Sequence, residues 1–357
     1  MPRAVKALYA VLVTVLLAAP APAVTAPART AQPTPPGRWA AAPPSGRAPT
    51  VTPAPAPAPA PAPTAAPTGP RAATATPAPA PIPAPPAPRI PGVRGLDIGV
   101  PAYVWADDAM LNDLTASGPA ASVVVLNPGN GDSPFEAPWR ARADALRRGT
   151  TATGGKTKVL GYVHTDHGNR AAAAVKASVD NYLRTSDGRL HVDGVFFDVV
   201  SRDCGPGNAT RDHYAELRRH VEDTMRAVDP AASPLVVNNP GTAIADCYLE
   251  PGRRTADVFV TYEDTYAAYT GGGWLGGNVF DPLTGYRTGT ELDPSGTAFW
   301  HLVHDVPDAG AMRATLRTAF DRGAGYAYAT SAAMPNPWNT GPAWEHGAQT
   351  AYAATLG

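Results

Sequence analysis

The 357-residue sequence is short of cysteine, has no acid in its first quarter, and has no long hydrophobic run beyond its N-terminus. Only Cys204 and Cys247 are present. They form no Cys-x-x-Cys pair, and no His-x-x-x-His occurs, so the common zinc-ligand spacings are missing. No window of about 18 apolar residues follows the N-terminus, which excludes a transmembrane helix there. There is no Gly-x-Ser-x-Gly elbow to offer a serine nucleophile. No Gly-x-Gly-x-x-Gly follows the first candidate strand, which removes the usual dinucleotide signature. Before Gly92 there is no Asp or Glu, but there are seven Lys and Arg. Taking those seven from the total of 29 leaves 22 basic against 30 acidic residues in the remainder. The net charge of −1 therefore hides a basic arm and an acidic body, and an acidic body argues against nucleic acid as a partner.

The N-terminus explains itself. Arg3 and Lys6 precede an apolar stretch, Ala7 to Ala19, too short to span a bilayer, and Ala21-Pro22-Ala23 supplies small residues for cleavage. Residues 1–23 read as a secretory signal peptide, with an uncleaved signal anchor as the alternative. Either places the rest of the chain outside the cytoplasm, secreted or held at the cell wall. Of the 42 prolines, 26 lie before Gly92, with a near-perfect Pro-Ala alternation from Pro53 to Pro63. Proline fixes φ and removes N–H donors, so residues 24–91 can build neither helix nor ladder. They read as a disordered polyproline II spacer reaching up to ~3.1 Å per residue, suited to tethering the body to a cell wall. In an oxidising compartment an even cysteine count predicts a Cys204–Cys247 disulfide.

Residues 92–357 have the size of one large domain. Candidate strands are Gly95–Trp105, Ser122–Asn127, Lys158–His164, Gly194–Val199, Leu235–Asn239, Asp257–Glu263, Ala298–Val306 and Gly325–Ser331. Several are continuous apolar runs, such as Val123-Val124-Val125-Leu126 and Val195-Phe196-Phe197, as expected of parallel strands buried on both faces. Amphipathic helices alternate with them, most clearly Asn169–Arg184 and Asn208–Val228, with Ala137–Arg148, Ala309–Asp321 and Ala343–Ala354 shorter. Eight such repeats have the length and rhythm of a (β/α)₈ TIM barrel; a doubly wound open sheet is the alternative.

In a barrel, chemistry sits where strands end. Seven of the eight candidate strands end in hydrogen-bonding or ionisable groups, among them Asn127, His164, Asp198, Asn239, Tyr262 with Glu263, His304, and Tyr328. The first contributes Tyr103 and Trp105. Aromatic rings that stack on sugar faces, beside amides and carboxylates that bind hydroxyls, describe a carbohydrate cleft. Asp198 and Glu263 close strongly apolar strands, and two carboxylates flanking a glycosidic bond are the minimum for acid–base hydrolysis. The bland alternative is that each caps a helix or pairs with an arginine. His164, His167 and His304 could be read as metal ligands, but they lie on separate strands without ligand spacing, so no metal and no cofactor is expected.

The ordered set Val100-Pro101-Ala102-Tyr103, Val124-Val125-Leu126-Asn127-Pro128, Gly161-Tyr162-Val163-His164-Thr165, Val192-Asp193-Gly194-Val195-Phe196-Phe197-Asp198, Asn239-Pro240-Gly241-Thr242 and Ala256-Asp257-Val258-Phe259-Val260-Thr261-Tyr262-Glu263 resembles the spherulin-4 family. This family is also called spherulation-specific family 4 or glycoside hydrolase family 135. Asn336-Pro337-Trp338-Asn339, with Pro342 and Trp344, resembles its C-terminal signature. The resemblance implies a (β/α)₈ barrel and an endo-acting hydrolase of a polymer with α-1,4-linked galactose and N-acetylgalactosamine. It implies catalysis by Asp198, as nucleophile or electrostatic stabiliser, and by Glu263, as general acid. The family's second acid on the fourth strand is replaced here by Val199. Tyr103, Asn127, His164, Asn239, Tyr262, His304, Tyr328 and Trp338 are the expected polysaccharide-binding residues. A non-catalytic carbohydrate-binding barrel is the rival reading, which Val199 favours; a purely structural wall protein fits so many polar strand ends poorly.

Overall fold

The buried apolar runs become strands β1 (Asp97–Ala102), β2 (Val123–Leu126), β3 (Lys158–His164), β4 (Gly194–Asp198), β5 (Leu235–Asn239), β6 (Val258–Thr265), β9 (Ala298–His304) and β10 (Tyr326–Ala329). This computed structural model describes residues 95–250, 252–271, 280–281, 285–286 and 297–356; the expected signal peptide, residues 1–23, and spacer, residues 24–91, lie outside the described residues. All eight strands pair in parallel and close in the order β1-β10-β9-β6-β5-β4-β3-β2. Closure rests on Asp97 against Tyr326 and Ile98 against Ala327, which rules out the open-sheet alternative. β7 (Phe280–Asp281) and β8 (Gly285–Tyr286) form an antiparallel pair between β6 and β9.

Helices α2 (Ala137–Leu146), α3 (Ala172–Leu183), α4 (Ala209–Val228), α6 (Ala309–Asp321) and α7 (His346–Ala353) fall inside the stretches read as helical. Two were not anticipated, α1 (Ala109–Ala116) and α5 (Tyr266–Thr270). α1 starts where Asp108 Oδ1 accepts the Met110 N–H at 2.8 Å, a cap worth ~1 kcal/mol. On α4 the apolar stripe Tyr214, Leu217, Val221 and Met225 is buried as its spacing predicts, while Val228 is exposed at the helix end. β1 is shorter than expected because the Tyr103 N–H bonds the Trp338 carbonyl at 2.8 Å instead of a strand neighbour.

Side chains alternate across each strand, so those at every second position share the barrel interior. Tyr162, Phe196 and Trp300 fill it, with Phe196 5.7 Å edge-on from Trp300 and 6.4 Å stacked on Tyr162. A Cβ at Gly99 would lie 2.4 Å from Trp300 Cζ2, so only glycine lets β1 pass this ring. At the opposite end, aspartates pin the register. Asp193 Oδ2 accepts the Val159 N–H at 2.9 Å and Asp257 Oδ2 the Val236 N–H at 2.8 Å. The expected disulfide is formed: Cys204, beyond β4, joins Cys247, in the turn Asp246–Leu249 beyond β5, with Cα atoms 6.1 Å apart. Among the described residues no helix is long and apolar enough to cross a membrane.

Candidate active site

The strand alternation that buries Phe196 in the barrel also sends Asp198, two residues on, inward at the C-terminal end of β4. The paired residues His164 of β3 and Asn239 of β5 point the same way. On β6 the same alternation would turn Val260 and Tyr262 inward and Glu263 out to the helices. A β-bulge prevents this: register slips between Val260, opposite Trp300, and Tyr262, opposite His301. Thr261 is the extra residue, buried with its hydroxyl unpaired. Glu263 consequently shares the interior with Val260, and Tyr262 goes to the outer wall. There its ring lies 4.7 Å from Tyr269 and 6.1 Å from His301. Tyr262, expected at the cleft, is therefore placed outside it, by a bulge that the sequence pattern does not announce.

One amide ties the two carboxylates together. Asn239 Nδ2 donates to Asp198 Oδ1 at 2.7 Å and to Glu263 Oε2 at 2.8 Å. Its Oδ1 accepts the Gly241 N–H at 2.8 Å, which fixes the amide orientation. Trp338 Nε1 donates to Glu263 Oε1 at 2.8 Å. Two oxygens bonded to one nitrogen lie no further apart than the sum of those two bonds, so Oδ1 and Oε2 are closer than the ~6.5–9.5 Å of an inverting glycosidase and do not exceed the ~5–5.5 Å of a retaining one.

Burial raises both pKa values. Asp198 is shielded from solvent, and its carboxyl is raised by desolvation and pulled partway back by the Tyr162 hydroxyl, the Val199 N–H and Asn239. Glu263 is raised further, first by desolvation and then by the charge on Asp198, against the pull of Asn239 and Trp338. The environments split two similar acids. Glu263 keeps its proton through a pH range in which an ordinary carboxyl has lost it, and Asp198 ionises first. Asp198 Oδ2 and the nearby Tyr162 hydroxyl are buried, and neither reaches hydrogen-bond geometry with any group.

The other expected residues divide. Tyr103 lies beside the pair, 5.1 Å edge-on to Tyr162, with its hydroxyl pKa raised by burial and then by the Asp198 charge. His164 is half-buried, its Nδ1 unpaired and its pKa lowered by desolvation, so the ring is neutral near neutral pH. His304 packs 6.2 Å from Trp338, and its Nδ1 meets Asp305 Oδ2 at 2.8 Å. Tyr328 is fully buried, 6.0 Å from Trp338, and its hydroxyl meets His346 Nε2 at 3.1 Å; it supports Trp338 from behind. Asn127 is taken up by its own loop, where Oδ1 accepts the Asn130 N–H at 2.8 Å. Tyr162 was missed as a site residue; its place two residues before His164, on the same side of β3, was the available signal. Among the described residues no cluster of three or more His, Cys, Asp or Glu could hold a metal ion.

No curated protein matches the chain. Among solved structures, Sph3 of Aspergillus clavatus in complex with GalNAc superposes with a TM-score of 0.52 at 21% identity, over 73% of this chain and 98% of that one. A family 5 xyloglucanase of Paenibacillus pabuli gives 0.39 at 10% identity, over 73% and 98%. The PgaB (BpsB) glycoside hydrolase domain of Bordetella bronchiseptica gives 0.37 at 11%, over 65% and 93%. The first of these likenesses supports the barrel fold. The description of spherulation-specific family 4 matches residues 97–350, nearly all of the barrel, and the chain belongs to that family.

Proposed function

We propose that the protein is a secreted glycoside hydrolase that cleaves an α-linked polysaccharide containing galactosamine and N-acetylgalactosamine. The observation that carries this reading is the Asp198–Glu263 pair, held at retaining distance by one Asn239 amide, with Glu263 the more strongly proton-retaining acid. The carboxyl of Glu263 donates its proton to the glycosidic oxygen as the C–O bond breaks. Asp198, through the unpaired Oδ2, attacks the anomeric carbon and forms a glycosyl ester. The Glu263 carboxylate then takes a proton from water, whose oxygen displaces Asp198 with net retention. Tyr103 and His164 line the approach. The structure of Sph3 contains GalNAc, and that precedent, with the shared family, supports an amino-sugar substrate. The N-terminal signal and proline-rich arm support export and attachment at a cell wall.

The test incubates the full secreted chain with acetylated and partly deacetylated α-1,4-galactosaminogalactan and follows reducing ends and anomeric proton signals. Release of oligosaccharides whose new reducing ends first appear as the α-anomer supports the reading, and Asp198→Asn should lower turnover by ~10²–10⁴-fold. Val199, where the family carries an acid, favours a second reading: a barrel that binds the polymer without cutting it. Saturable binding with no new reducing ends would establish that reading instead.

A further inference from the structure

Val199, directly after Asp198, has φ = +53°. Among the described residues five other non-glycine residues share the left-handed region, but they are Asn, Asp or His, types that adopt it readily. A β-branched residue there is strained, and it persists only where its surroundings over-determine it. Here they do. The Thr165 hydroxyl lies 2.8 Å from the Asp198 carbonyl and 2.9 Å from the Val199 carbonyl. The Thr165 N–H bonds the Asp198 carbonyl at 3.0 Å, and the His167 N–H bonds that of Val199 at 2.6 Å. On the far side, the Val200 N–H reaches the Asn239 carbonyl at 2.9 Å.

Thr165 has a single hydroxyl proton, which the two carbonyls share. In the 3.0 Å contact with Tyr214 it is therefore the tyrosine that donates. The tyrosine oxygen also accepts the Ser201 N–H at 3.2 Å, so the Thr165–Tyr214 pair ties down both ends of the strained turn. Both side chains are fully buried. The Val199 N–H favours the charged form of the Asp198 carboxyl, Asn239 takes Oδ1, and Oδ2 is buried without a hydrogen-bond partner.

We infer that Thr165, backed by Tyr214, is a positioning residue: it clamps Val199 in the left-handed conformation and thereby aims the Asp198 carboxylate into the cleft. This rests on the proposed role of Asp198. Without the clamp the strained valine relaxes towards extended backbone and carries the carboxylate with it. A residue that tolerates positive φ has no such reason to leave.

The test is a cycle of Thr165→Val, Val199→Asn and the double variant, with Tyr214→Phe as a milder release that keeps the buried ring. On the polysaccharide, Thr165→Val should lose tenfold or more in kcat with KM little changed, Tyr214→Phe should lose less, and the double variant should regain most of the kcat lost. Equal impairment of the single Thr165 variant and the double variant would overturn the clamp, as would an undiminished kcat in Thr165→Val. A second readout needs no turnover. The titratable groups facing Asp198 are Glu263, Tyr103, Tyr162, Tyr214 and His167, and a displaced Val199 N–H removes one more stabilising partner of its charge. The melting temperature of Thr165→Val should therefore fall more steeply from pH 5 to pH 7 than that of wild type, and the double variant should restore the wild-type slope. If wild type never cleaves the polymer but this pattern of slopes is found, the clamp stands and the hydrolase reading falls. Parallel slopes in all four proteins would sink the clamp whatever the activity.

Discussion

Replacing Glu263 by Gln should destroy hydrolysis and, at neutral pH, make the protein more stable. In the unfolded chain this carboxyl titrates near ~4.3, whereas burial and the Asp198 charge raise it in the fold. Between those two values the native state holds a proton that the unfolded state has released. Stability is thus fully present below the unfolded pKa and is lost as pH rises towards the folded one. A displacement of one pH unit is worth ~1.4 kcal/mol, so from pH 5 to pH 7 this one group removes up to ~2.7 kcal/mol. Gln has no such loss, but it has a fixed defect. Trp338 Nε1 and Asn239 Nδ2 both donate to Glu263, and Asn239 cannot turn over because its Oδ1 holds the Gly241 N–H. The Gln amide can accept from only one of these two donors and opposes its NH₂ to the other, a pH-independent cost of about 1 kcal/mol.

The two contributions differ in pH dependence, which separates them in thermal melts recorded at pH 5, 6 and 7. Each kcal/mol shifts the midpoint by ~2–4 °C at this domain size. Glu263→Gln should melt close to wild type at pH 5 and about 5–10 °C above it at pH 7, the difference growing steadily between them. A difference that stays constant across this range would refute the argument, because it would mean that Glu263 titrates as it does in water.

Trp338→Phe keeps the ring but removes the N–H that pulls the Glu263 pKa down, so the alkaline limb of a kcat/KM profile should move to higher pH; an unmoved limb would show that the indole does not act on Glu263. Cys204→Ser with Cys247→Ser opens a loop of sequence separation 43, worth ~4 kcal/mol by chain entropy, so calorimetry should find a midpoint lower by roughly 10 °C, and a change below about 2 °C would contradict this. Deleting Thr261 leaves Val260, Tyr262 and Glu263 opposite Trp300, His301 and Leu302 in an unbroken ladder, so the barrel should fold by circular dichroism with Glu263 still inward and turnover still measurable; a folded barrel with no turnover would mean that the bulge does more than set the facing of the acid.

The fold was legible because parallel strands covered on both faces appear as apolar runs such as Val195-Phe196-Phe197, and their boundaries needed little beyond composition. α1 was missed because eight residues carry too few turns for periodicity to show, though Asp108 at its cap was visible. The site was legible as a set of residue types at strand ends and much less so as geometry. Asp198 and Asn239 follow the simple alternation of β4 and β5, and they stand where that alternation puts them. Glu263 does not: period two, counted from Val260, assigns it to the wrong face, and only the unpaired residue Thr261 corrects the count. Trp338, which completes the grip on Glu263, arrives from 75 residues further along the chain, a distance at which local pattern carries no information. The bulge and the strained Val199 share one location. Each breaks regular β geometry beside the carboxylate pair: the bulge brings Glu263 to Asn239, and Val199 turns the chain directly after Asp198. Regular β geometry builds the barrel and places Asp198, and the departure on the far side of β5, the β6 bulge, is what turns Glu263 to face it and makes the mouth a pair of facing acids rather than a ring of strand ends.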